Sequence, residues 1–180
     1  MQELRTQILT PNSSEVHAPY RAKFIEDYIE FARFGLENRS ISSFIAFIGD
    51  SNFENEKSYT FLKSLFRAVH KIKLILEEDE DRLNNFRSFL SPLFMKDDID
   101  HRAKIHNENS DDKMLRNVLI FNLATINETK AKLSWEYFSR NKSLCDDQKH
   151  DYDPQMKRSI VLAAAMSKEA NFSFFRTVSC

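Results

Sequence analysis

Between Asp111 and Phe138 the chain reads DDKMLRNVLIFNLATINETKAKLSWEYF, and its apolar residues return every three or four positions. Met114, Leu115, Val118, Leu119, Phe121, Leu123 and Ile126 cover most of a helix surface, the pattern of a helix packed between neighbours. From about Glu128 a partner helix presents Ala131, Leu133, Trp135 and Phe138. This period excludes strands here, and it recurs along the chain.

Residues 2–9 form a short amphipathic piece stopped by TPNSS. Pro19 suits a first helical turn, where its missing N–H is not needed, and Phe24, Ile25, Tyr28, Ile29, Ala32 and Phe34 follow at helical spacing up to a stop at Gly35. Ser40 caps a shorter helix closed by Gly49. Phe61, Leu62, Leu65, Phe66, Val69, Ile72 and Ile75 or Leu76 form one stripe between Ser58 and Leu76. The run Glu77–Asp81 reads as a solvated lead into the next helix, since acids are favoured at a helix N-terminus. That helix, from about Arg82, carries Leu83, Phe86, Phe89, Leu90, Leu93 and Phe94, and Pro92 should bend or shorten it. Asp153-Pro154 is an N-cap and first-turn pair for a helix bearing Met156, Ile160, Val161, Ala164 and Ala165, and a last short helix holds Phe172, Phe174 and Phe175. The long polar connection 96–110 is expected to be mobile.

Two glycines and four prolines leave too few turn residues for an all-β fold. The expectation is therefore an all-α chain of about nine helices, arranged as a bundle or as stacked helix pairs. A single domain over residues 1–180 is long enough to share one core.

Charge excludes some partners. Twenty-six basic and 27 acidic residues are interspersed and sum to −1, which gives no footprint for nucleic acid or an anionic membrane. Two cysteines make no disulfide framework, and the first residues lack the apolar run of a secretory signal. No stretch reaches the roughly 18 apolar residues of a membrane span. The chain is expected to be cytoplasmic, unless it belongs to a larger targeted protein.

Catalytic chemistry is not legible. No H-E-x-x-H, glycine-rich phosphate loop or C-x-x-C occurs. His101 and Asp97 are four apart, among Asp98, Asp100, His106, Asp111 and Asp112, yet His106 falls off their shared face and the segment reads as a solvated loop. Cys145, Asp146 and His150 form a second weak set, and His70 reads as a boundary histidine. No catalytic residue, metal site or cofactor is expected.

Three segments, in order and spacing, carry a resemblance. YRAKFIEDYIEFARFGLENRSISSFIAFI, from Tyr20 to Ile48, is similar to an "RA-x-L-I-x-D/N-A-x-x-L-A-x-x-G" helix followed by an "S-x-x-x-A-L-x-L" helix, through Arg21-Ala22, Ile25, Asp27, Ala32, Gly35 and Ser40. FLKSLFRAVHKIKLILEEDEDRLNNFRSFLSPLF, from Phe61 to Phe94, resembles a pair of long helices, the second opening on Phe86 and Phe89. MLRNVLIFNLA with SWEYFSRN resembles "LR-x-x-L-L-x-L-A" followed by "A-x-x-x-F-x-x-W". Together these resemble the C-terminal helical domain of zinc aminopeptidases of the aminopeptidase N and endoplasmic-reticulum aminopeptidase family, over about Met1 to Phe175.

The resemblance implies an α-solenoid of HEAT-like or armadillo-like antiparallel helix pairs. It marks Arg21, Asp27 and Arg116 as recurrent polar positions, with helix-to-helix or interdomain bonding as their expected role. The chain departs from the family in two respects. Thr125 follows Ala124 where many luminal members have cysteine, and the family's zinc-binding and substrate-loop motifs are absent. Three readings follow, in order of preference. The chain is a non-catalytic relative or domain that binds a peptide, a protein partner or a peptidase domain. It is a piece of an active aminopeptidase. It is an unrelated helical adaptor. A solenoid that stops early leaves an apolar end, so Phe172, Phe174 and Phe175 are expected to form a surface for self-association or a partner.

Overall fold

The computed structural model describes residues 8–9, 16–36, 40–49, 51, 53, 55–94, 108–141, 153–171, 173 and 175. Among them there are seven α-helices, one 3-10 helix and no strand: the chain is all-α. The helices are α1 (Ala18–Phe34), α2 (Ile41–Ile48), α3 (Tyr59–Leu76), α4 (Glu80–Leu90), α5 (Ser110–Ile126), α6 (Glu128–Arg140) and α7 (Pro154–Ala165), with Ser91–Phe94 as the 3-10 turn. Chain contacts gather into two compact units, Met1–Lys96 and Asp97–Cys180.

In the first unit, serine and aspartate caps, a proline and two glycines mark many of the helix ends. Pro19 opens α1, and Gly35 closes it with φ 64°, a left-handed conformation that costs an L-residue about 1 kcal/mol. Ser40 and Ser43 cap α2 reciprocally, each hydroxyl accepting from the other's N–H. Gly49 is needed for a different reason from Gly35. Its φ is −64°, open to any residue, but an added Cβ would sit 3.2 Å from the Ile45 carbonyl oxygen and 3.3 Å from the Phe89 ring. It is a close-approach glycine. Asp79 caps α4 by accepting from the Arg82 N–H, so the acidic run does lead into a helix start. Pro92 shortens that helix: α4 ends at Leu90 and the chain tightens into the 3-10 turn.

The contacts set the directions. Phe24 meets Phe47 and Tyr28 meets Phe44, so α1 and α2 run antiparallel. Phe66 stacks on Phe94 with centroids 4.8 Å apart, and the Lys73 charge feels that of Arg87, so α3 and the α4 segment also run antiparallel. Arg21 lies over Phe61, Glu26 meets Ser64, and Glu30 meets Lys71, so α1 and α3 run parallel. Ile25, Ile29, Phe44, Phe61, Leu62, Leu65 and Ile72 are withdrawn from water between them, each contributing about 1.5–3 kcal/mol by burial.

In the second unit, Asn127 alone separates α5 from α6. Its N–H bonds the Leu123 carbonyl, while its Oδ1 accepts from the Thr129 and Lys130 N–H groups, so one residue ends a helix and begins the next. Asp153 starts α7 in the same way, accepting from the N–H groups of Gln155 and Met156. Lys113 pairs with Asp153, and Arg116 reaches Met156, which makes α5 and α7 parallel. Ile120, Ala124, Ala131, Phe138, Met156, Ile160, Ala163 and Ala164 form the core, the alanines letting the helices approach closely. Leu133, expected on the inner face of α6, is 45% exposed, because Ala131, Ser134 and Phe138 define that face.

Of the expected mobile connection 96–110, residues 96–107 lie outside the described ones.

Candidate functional site

A cleft of about 290 Å³ runs between α1 and α3. Its floor is Ile29, Ala68 and Ser64, and its walls carry Lys23, Glu26, Asp27 and Glu30 from α1 opposite Arg67 and Lys71 from α3. The parallel helices bring these groups together as a ladder of alternating charge. Ser64, buried at the floor, donates its hydroxyl to Glu26 at 2.7 Å, and Arg67 lies 3.7 Å from the same carboxylate. Lys71 pairs with Glu30, which also takes Arg33 at 3.2 Å. Lys23 pairs with Asp27 at 2.6 Å along α1.

The electrostatics follow from these pairs. The hydrogen bond from Lys71 holds the Glu30 carboxyl below the usual glutamate range, and the bond to Asp27 raises the Lys23 ammonium. Both signs of charge therefore stay ionised around neutral pH. Pairs this exposed contribute little to stability, because water screens them and the long side chains lose freedom in forming them. Their partners can be exchanged for those of a ligand at small cost.

Asp27, marked by its position in the resemblance, lines this cleft. The other two marked residues are elsewhere. Arg21 is 1% exposed: its Nη2 donates to Glu56 at 2.7 Å, its Nε donates to the Ile8 carbonyl at 2.6 Å, and its guanidinium lies 4.0 Å from the Phe61 ring centroid. Arg116 is buried beside Leu115 and Leu119 and forms a two-pronged bond with Glu108, at 2.8 and 2.5 Å, while its Nη1 lies 3.0 Å from the Met156 sulfur.

Phe175 is half-buried. It stacks on Phe138 with centroids 5.2 Å apart and meets Trp135 at 5.7 Å, so its ring packs in part against its own unit. Phe172 and Phe174 lie outside the described residues, as do Asp97, Asp98, Asp100, His101, His106, Cys145, Asp146 and His150. Asp111 and Asp112 are exposed in the first turn of α5, and His70 is exposed on α3. Among the described residues, no group of three His, Cys, Asp or Glu side chains is placed to hold a metal ion, and no helix is long and apolar enough to cross a membrane.

Glu26, Glu30, Ser64, Arg67 and Lys71 were not singled out from the sequence. The available signal was the charged stripe Lys23, Glu26, Asp27, Glu30 beside the apolar stripe of α1. Comparison with protein families, curated proteins and solved structures finds no match to this chain.

Proposed function

We infer that this chain is a non-catalytic helical domain that binds a peptide or protein partner, related to the C-terminal helical domain of zinc aminopeptidases. The observation that carries the reading is the α1–α3 cleft, where paired charges of both signs surround a floor of Ile29, Ala68 and Ser64. A peptide brings charges of both signs on side chains or termini, together with backbone groups for the walls. It can take over the exposed pairs one by one without leaving a buried charge alone.

The helix directions support the HEAT-like solenoid expected from the resemblance. In each unit, parallel helices meet through residues about 40 apart: 41 for Lys71 and Glu30, 40 for Arg116 and Met156. Repeats of two antiparallel helices stack with periods of about 40–47 residues. With no H-E-x-x-H in the sequence, the domain alone is not expected to hydrolyse peptides.

Charge reversal tests the reading. Arg67→Glu with Lys71→Glu should weaken partner binding at least tenfold, about 1.4 kcal/mol, while leaving the helical circular dichroism unchanged. A second reading, a piece of an active zinc aminopeptidase, is favoured by the span of the resemblance over nearly the whole chain. The intact mass of the endogenous protein separates the two, since a species far above 21.2 kDa supports the second.

A further inference from the structure

The C-terminal ends of α1 and α3 leave apolar side chains in water. Phe34 is 70% exposed, Leu36 49%, Leu74 55% and Ile75 52%. Their grouping follows from the parallel packing of the two helices. Phe34 stands four residues after Glu30 and Ile75 four residues after Lys71, so each lies one turn, about 6 Å, beyond that ion pair along the strip where the helices meet. Leu74 shares the last turn of α3, and Leu36 follows Gly35, which closes α1. Single exposed apolar residues are ordinary on a protein surface, whereas a group of them at one end of a helix pair marks a binding surface.

The charge beside this group is of one sign. Glu77 and Glu78 follow Leu76 directly, and Glu80 and Asp81 open α4; all four are exposed. Glu80 and Asp81 sit at the positive end of their helix, where acids are favoured, but Glu77 and Glu78 sit at the negative end of α3, where they are disfavoured. None of the four has an ion-pair partner among the described residues. The neighbouring cations are engaged elsewhere: Arg82 pairs with Asp79, Arg33 pairs with Glu30, and the charge of Lys73 faces that of Arg87. On α1, by contrast, Glu26, Asp27 and Glu30 each hold a cation. The α3–α4 turn therefore keeps an uncompensated negative field beside an apolar surface. A cationic partner relieves that field, whereas an anionic membrane or a nucleic acid would add to it.

We propose that the ends of α1 and α3 form a docking surface for a basic amphipathic helix of a partner protein. The apolar stripe of that helix covers Phe34, Leu36, Leu74 and Ile75, and its lysines or arginines face Glu77 and Glu78. A helix suits this surface better than an extended segment, because its backbone bonds are internal and the described residues offer no sheet edge to pair with. The surface lies past Glu30 and Lys71, outside the α1–α3 cleft, and is independent of the binding proposed there.

The test titrates the full chain into a fluorescent leucine–lysine peptide of about 18 residues, long enough to form a helix with its leucines on one face. The expected result is saturable binding of one peptide per chain. Leu74→Ser with Ile75→Ser should weaken it by about tenfold or more, and so should Glu77→Lys with Glu78→Lys. These positions are exposed, so both variants should keep the wild-type circular dichroism. The same peptide with glutamate for lysine should not bind. Asp111→Lys with Asp112→Lys, which reverses two exposed acids in the second unit, should leave binding unchanged. Absence of binding, or binding that ignores the Leu74 and Ile75 substitutions, overturns the proposal. So does an equal loss on reversing Asp111 and Asp112, which would make the attraction one of net charge alone. Self-association through this surface, seen by sedimentation and lost in Leu74→Ser with Ile75→Ser, would make a second copy the occupant and overturn it as well.

Discussion

Arg21 Nη2 lies 2.7 Å from Glu56 Oε2, and the two side chains are 1% and 0% exposed. Removing one partner of such a pair leaves a buried charge alone, at a cost of about 3–5 kcal/mol. Glu56→Leu and Arg21→Met should each lower the unfolding free energy by that order, read from urea denaturation. Arg21→Met with Glu56→Leu should recover much of the loss, because the desolvation penalty disappears along with the attraction. Strictly additive single losses would contradict a coupled pair.

Arg116 makes the corresponding prediction for the second unit. Its guanidinium grips Glu108 through two nitrogens, with the side chains 7% and 11% exposed. Arg116→Ala should destabilise by about 3 kcal/mol and lower the melting temperature clearly. An unchanged melting curve would contradict it.

The glycines separate two mechanisms. Gly35→Ala meets no atom within 4 Å but must hold φ 64°, so a loss of about 1 kcal/mol is expected from backbone strain alone. Gly49→Ala has an ordinary φ but collides with Phe89 and the Ile45 carbonyl. Phe89→Ala should relieve part of the collision in Gly49→Ala and none of the strain in Gly35→Ala. Equal rescue of both, read from urea denaturation, would rule out this assignment.

Two titrating groups, both shifted down, make stability rise with pH in two separate windows. Lys113, followed by the backbone N–H groups at the start of α7, holds the Asp153 carboxyl below the usual aspartate range. Its contribution is therefore complete above the unfolded value, about pH 4, and is lost as pH falls through the lowered folded value. Asp153→Ala should cost about 1 kcal/mol near neutrality, and the difference from wild type should shrink in acid.

Lys73 acts in the same direction but in alkali, and through relief of a buried charge rather than gain of a bond. Burial first, and the Arg87 charge second, bring its ammonium down to about 8. The unfolded chain holds that proton more tightly, so stability rises with pH between about 8 and the unfolded value. Competitive acylation across pH 6–11 should show Lys73 reacting with a midpoint near 8, well below Lys23. Indistinguishable profiles would contradict this environment.

Much of the fold was legible because it is written locally. Pro19, Gly35, Ser40 and Asp153 sit where the helix ends fall, and most residues of the apolar stripes are buried, although Phe34 and Ile75 are exposed. That Arg116 would be paired was also readable, since a guanidinium amid Leu115, Val118 and Leu119 needs an acceptor. Glu56 was not found, because it lies in the irregular stretch SNFENEK and its partner is 35 residues away. The α1–α3 ladder was hidden for the same reason. Each of its charges looks like an ordinary solvated face until the parallel packing sets Glu26 and Glu30 against Arg67 and Lys71. Leu133 misled because helical spacing alone does not say which side of α6 meets its neighbours.

The most direct test of the binding role is selection of a random peptide library on the immobilised full chain, followed by titration of the enriched peptides against wild type and the Arg67→Glu, Lys71→Glu variant. The account predicts enrichment of peptides carrying both signs of charge, binding that weakens with added salt, and at least a tenfold loss on the variant with its helical content intact. No enrichment, or peptides that bind the wild type and the variant equally, would contradict it.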